Sequence, residues 1–178
     1  MTNPPFSKQD HFISMLMELD KKFSIICNMM NLAHKPTRKF LLDGKFKTIC
    51  LFSGGGAFIH ANGRKAGINV IGISNLEKVD FDFNHRHPKM TKQQLLEKGV
   101  LYHPDGLPDN HFEVRFLKYI PTDLREDEIV WCPISVLIVP WFSKRYEVDR
   151  DLFAKQKGGI KVDGKARFYR VPMKLKAI

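Results

Sequence analysis

Cysteine is scarce in this sequence. Cys27, Cys50 and Cys132 are the only three, far apart and odd in number. No two stand at Cys-x-x-Cys spacing, so neither a zinc knuckle nor a disulfide framework is expected. All three lie in apolar stretches, where a free thiol behaves as a small hydrophobe, and a reducing compartment such as the cytoplasm is the expected home. Long apolar runs are missing too. The longest, Ile129 to Phe142, is too short to span a bilayer and is broken by Pro133 and Pro140, so it reads as a buried strand. The opening, Met1 to Asp10, is polar and contains Pro4 and Pro5, so no secretory signal is read there.

Acidic residues are outnumbered: 19 Asp and Glu stand against 29 Lys and Arg, a formal net charge of +10 with a pI of about 9.6. Such an excess favours partners with a dense negative surface, nucleic acid or an acidic protein above all, although a charge serving only solubility is the simpler alternative. Hydrophobic content of 43% and charged content of 27% are those of a folded chain rather than a disordered one. A length of 178 residues suits one domain with its own core.

The order of patterns predicts an α+β domain, a long N-terminal helix packed on a mostly antiparallel sheet. Phe12, Leu16, Leu19, Phe23, Ile26, Met30 and Ala33 step by alternating fours and threes, which predicts a helix over roughly Lys8 to Ala33, entered at Ser7 and Asp10. A second apolar set, Ile13, Met17, Ile25, Met29 and Leu32, widens that face. Burial against the sheet accounts for it, and its methionines leave open a contact with a partner chain.

Pro36 then ends the helix in a basic linker, His34 to Lys39. Phe46 to Phe52, Ala57 to His60 and Ile68 to Ser74 read as successive antiparallel strands, with a turn at Asn62-Gly63. Val79, Phe81 and Phe83 alternate with Asp80 and Asp82 as a further strand. A short helix within Pro88 to Gly99 is expected to be capped by Thr91. Phe112 to Ile120 and Ile129 to Pro140 read as strands. Gly158 to Met173 reads as a hairpin around Asp163-Gly164.

Three groups of residues could carry chemistry. Ser53-Gly54-Gly55-Gly56 follows an apolar strand, where consecutive amides can approach a phosphate. It resembles the Gly-rich oxyanion loop of patatin-like lipases, which would imply acyl hydrolysis, but the Gly-x-Ser-x-Gly elbow of that family does not occur here. No Gly-Lys-Ser/Thr ending follows either, and a bulge in a hairpin is the simpler reading.

The second group runs from Asp80 to His111. His85, His87, His103 and His111, with Asp80, Asp82, Asp105 and Asp109, are residue types that hold a divalent metal. His85-x-His87 resembles the first cupin motif, but no glutamate follows at that family's spacing. Solvated or capping histidines are the alternative.

The third group is basic. Lys35, Arg38, Lys39, Lys45 and Lys47 cluster after the first helix. Lys161, Lys165, Arg167, Arg170 and Lys174 dominate the tail, and Phe40, Phe46, Phe168 and Tyr169 stand among them. Cations neutralise phosphates and exposed aromatics stack on bases, so these residues, Tyr169 included, are the expected nucleic-acid contacts. A basic sheet edge that discourages aggregation is the alternative.

The sequence therefore favours a non-enzymatic binding or assembly protein that meets nucleic acid or another acidic partner. A metal-dependent nuclease or hydrolase built on the His/Asp stretch is the rival. A structural subunit of a larger particle, assembled through the N-terminal helix, is a further possibility.

Overall fold

The computed structural model describes residues 6–51, 56–59, 62–76, 88–138, 142–155, 159–167 and 169–177. They belong to two compact units, Met1–Phe81 and Asp82–Ile178, both of which mix helix with sheet. Among the described residues no helix is long and apolar enough to cross a membrane.

The first unit opens not with a long helix but with α1 (Gln9–Glu18), ten residues preceded by a single 3-10 turn at Phe6–Lys8. Lys8 occupies the cap position without a side-chain hydrogen bond, so the expected Ser7 cap does not form. Asp20 takes a positive φ of 49°, a conformation that ends a helix. The chain then re-enters as β1 (Ser24–Asn28). The heptad-like stripe was a coincidence of two periods. Within Phe23 to Asn28 the buried residues are Phe23, Ile25 and Cys27, a repeat of two rather than 3.6. Ile25 and Ile26 are β-branched, and pairing with a strongly apolar strand outweighs the helical alternative. Asn28 then caps a 3-10 turn, Met29–Ala33, by accepting from the Met30 N–H at 2.9 Å.

After α2 (Lys35–Leu42) come β2 (Lys47–Leu51), β3 (Gly56–Ile59), β4 (Lys65–Ile68) and β5 (Val70–Ser74). The fully buried β5 lies between β1 and β2, antiparallel to both. β3 and β4 form a separate hairpin around Asn62-Gly63, so β2 pairs with β5 and not with its neighbour in sequence. Gly72 belongs at the centre of β5 because a Cβ there would lie 2.5 Å from Cys50 Sγ and 2.9 Å from Ile49 Cγ1. One polar side chain ties the unit together. The buried Gln9 accepts from the Asn28 N–H at 3.0 Å and from Asn31 Nδ2 at 2.7 Å, and it donates to the Ile26 carbonyl at 3.0 Å. A buried amide satisfied this way fixes α1 against β1.

The second unit contains α3 (Lys92–Glu97), β6 (Leu101–Tyr102), β7 (His111–Val114), β8 (Ile129–Pro133), α4 (Phe142–Arg145), β9 (Tyr146–Val148), α5 (Arg150–Lys155), β10 (Lys161–Val162), β11 (Lys165–Ala166) and β12 (Arg170–Leu175). Thr91 and Gln94 form the capping box that starts α3, as expected for Thr91. β10 and β11 form a hairpin at the expected Asp163-Gly164 turn, both residues at positive φ, but its arms are two residues each and Arg170–Leu175 leaves it to join the main sheet, so the hairpin expected over Gly158 to Met173 is cut short. The main sheet has the order β6-β7-β8-β12-β9, parallel only between β7 and β8.

Two expected strands are cut short: β7 gives way to a 3-10 turn at Leu117–Tyr119, and β8 to another at Ile134–Ile138. The two faces of the sheet differ sharply. Register places Leu101, Val114, Phe112, Val130, Met173, Cys132 and Val171 on an apolar face, and Tyr102, Glu113, Trp131 and Arg170 on the other.

Candidate nucleic-acid interface

The clustered lysines of the first unit are set outward by their buried neighbours, while Arg38 is half-buried. Lys35, Arg38 and Lys39 stand at i, i+3 and i+4 of α2, a spacing that puts three cations on one helix face. Gly44 reverses the chain at a φ of +66°, and the Lys45 N–H donates to the Phe40 carbonyl at 2.9 Å. Phe46 then anchors in the core against Phe23, their ring centroids 6.4 Å apart, so the flanking Lys45 and Lys47 are exposed. Of the aromatics interleaved here, Phe46 is core and Phe40 is half-buried.

In the second unit the expected contacts divide into two kinds. Lys161 and Lys165 are exposed on the β10–β11 hairpin, with Val162 buried between them. The hairpin is held by Asp105, whose carboxylate accepts from the Asp163 N–H at 3.0 Å and from the Gly164 N–H at 2.8 Å. The Asp105 N–H in turn donates to the Lys161 carbonyl.

The arginines turn inward. Arg170 Nε donates to Glu113 Oε1 at 2.8 Å, and Arg167 Nε lies 3.9 Å from Glu113 Oε2. The Glu113 side chain is 0% exposed and the two arginine side chains 13%. A carboxylate buried this deeply requires cationic neighbours. Arg167 and Arg115 also stand over the ring of Tyr102, at 5.7 Å and 6.0 Å from its centroid. Lys174 lies 3.5 Å from Glu147 and 3.8 Å from Asp149. Tyr169 is half-buried, and Phe168 falls outside the described residues.

The residues expected to hold a metal do not form one described group. His85, His87, Asp80 and Asp82 lie outside the described residues, as does Ser53-Gly54-Gly55. His103 is exposed, its ring 5.0 Å from that of Phe112. His111 is buried on the opposite face of the sheet, and its Nδ1 accepts from Trp131 Nε1 at 3.1 Å. That bond fixes the neutral ring with its proton on Nε2. Burial lowers the pKa of His111 below the usual 6.5, against a partial opposing pull from Asp149. Among the described residues, no three His, Cys, Asp or Glu side chains are placed to share an ion.

A sequence reading that treats Phe112 to Ile120 as one strand passes over Arg115, Lys118 and their aromatic neighbours. The signal was present as Arg115-Phe116-Leu117-Lys118-Tyr119, with no carboxylate between Glu113 and Asp123. Comparison with known families, with curated proteins and with solved structures finds no match for this chain.

Proposed function

We propose that this is a non-enzymatic binding protein whose partner is nucleic acid, held through the phosphates by exposed lysines. One observation carries the reading. Lys35, Lys39, Lys45, Lys47, Lys161 and Lys165 are all exposed, and none forms an ion pair among the described residues. The half-buried Arg167, Arg170, Lys174 and Lys92 are by contrast matched to carboxylates. The charge excess of the chain is thus carried outward by lysines on short, anchored elements in each unit. A polyanion bound there releases its counterions, which supplies the driving force.

The test is a gel-shift assay of the full chain with labelled single- and double-stranded DNA and RNA, with manganese or with EDTA. Retarded, intact bands in both conditions, weakening steeply between about 50 and 200 mM salt, are expected. No binding at low salt overturns the reading. Cleavage only with manganese replaces it with a metal-dependent nuclease.

A further inference from the structure

We infer that the loop Arg115–Tyr119 is a stacking platform for single-stranded nucleic acid; this deepens the binding function proposed above and rests on it. The loop follows β7 and closes a single 3-10 turn, with the Tyr119 N–H donating to the Phe116 carbonyl at 3.0 Å and the Ile120 N–H to the Leu117 carbonyl at 3.1 Å. Leu117 and Ile120 are buried and anchor the turn. Their spacing leaves Phe116, Lys118 and Tyr119 as its outer residues, with Phe116 58% exposed.

The Phe116 and Tyr119 rings meet edge to face at 5.9 Å, and the Lys118 ammonium stands 5.0 Å from the Tyr119 centroid and 6.0 Å from that of Phe116. Arg115, exposed and preceding Phe116 in the chain, rests over Tyr102. No carboxylate interrupts the chain from Val114 to Thr122. A large exposed aromatic packed beside one cation, Lys118, with a second, Arg115, next to it in the chain and no anion in the segment, matches the chemistry of a base with its phosphate. The ring face takes the base and the cations take the charge. Bases within a duplex already stack on each other, so the ring selects unpaired strands.

The test measures binding of the full chain to fluorescein-labelled oligothymidylate and oligouridylate, and to a duplex of equal length. Phe116→Ala is expected to weaken single-strand binding about tenfold, with duplex binding and the salt slope unchanged. Lys118→Gln is expected to weaken it less and to lower the slope by about one. Phe116→Trp is expected to preserve affinity, and the introduced indole is expected to lose fluorescence as bases stack on it. Because Phe116 is largely exposed, thermal unfolding of Phe116→Ala is expected to match that of the parent chain. If the alanine variant misfolds, the tryptophan variant decides: an indole unquenched at saturation overturns the platform.

Equal affinity of the parent and Phe116→Ala for single strands overturns the platform while leaving phosphate binding by lysines in place. Failure of the parent chain to bind any nucleic acid overturns the underlying function, and the platform with it.

Discussion

Glu113 on β7 accepts from Arg170 on β12 across the intervening β8, at 2.8 Å and with no part of the carboxylate side chain exposed. Removing one partner leaves an uncompensated charge inside the sheet. Arg170→Met is expected to cost about 3 kcal/mol in urea unfolding, toward the low end of such losses because the Arg167 guanidinium remains nearby. The double variant Glu113→Leu/Arg170→Met is expected to recover most of that loss. A single-variant cost under about 1 kcal/mol would show that the pair is solvated.

Neutralising the hairpin lysines separates electrostatics from folding. Lys161→Gln/Lys165→Gln is expected to leave the midpoint of unfolding in place, because both side chains are exposed. The slope of log K against log salt for duplex DNA is expected to shrink by about two. An unchanged slope would remove the hairpin from the interface.

The thiols are expected to differ in reactivity. Burial pushes Cys27 up to about 12, with Cys50 adding to the shift, and burial pushes Cys132 well above its usual 9.0. Cys50 is only half-buried. In native protein at mildly alkaline pH, an aromatic disulfide reagent is expected to modify Cys50 first, with Cys27 and Cys132 reacting only on unfolding. Rapid native labelling of all three, followed by absorbance, would contradict the burial described for β1 and β8.

His111 carries a pH dependence of definite sign. Burial lowers its folded pKa, so the unfolded chain binds the proton more tightly. The stability from the neutral ring is present above about 6.5 and is lost as pH falls from there toward the lower folded value. His111→Asn, which keeps an acceptor for Trp131 Nε1, is expected to flatten that part of the curve. Parallel pH curves for the two proteins, measured by thermal unfolding, would assign the loss to other groups.

The parts of the fold that were legible in sequence were those set by local chemistry. Thr91 with Gln94, and Asp163 with Gly164, dictate a cap and a turn within a few residues, and both form. The stretch Phe23 to Asn28 satisfies a helical and a strand period together, so the first helix ends earlier than its stripe suggests. Only the distant β5, as a pairing partner, decides between them. The candidate interface shows the same division. The sequence marks Arg167 and Arg170 as basic but cannot reveal that Glu113, more than fifty residues earlier, claims both. Phe116 was hidden by its alternation with Val114, a pattern that continues two residues past the end of the strand.

The position of β12 between β8 and β9 sets a timetable for synthesis. β9 has no other described strand partner, and β8 would present an open edge on that side. A nascent chain that has released Val148 but not yet Leu175 from the ribosome therefore exposes two unpaired edges, one of them beside a buried tryptophan. The sheet of the first unit needs nothing beyond Ser74 and can close while the second is still being made. The second unit is thus the stage at which a stalled or shortened chain would call on chaperones, and a fusion that hinders residues 170–175 would be felt across the whole sheet rather than at its rim.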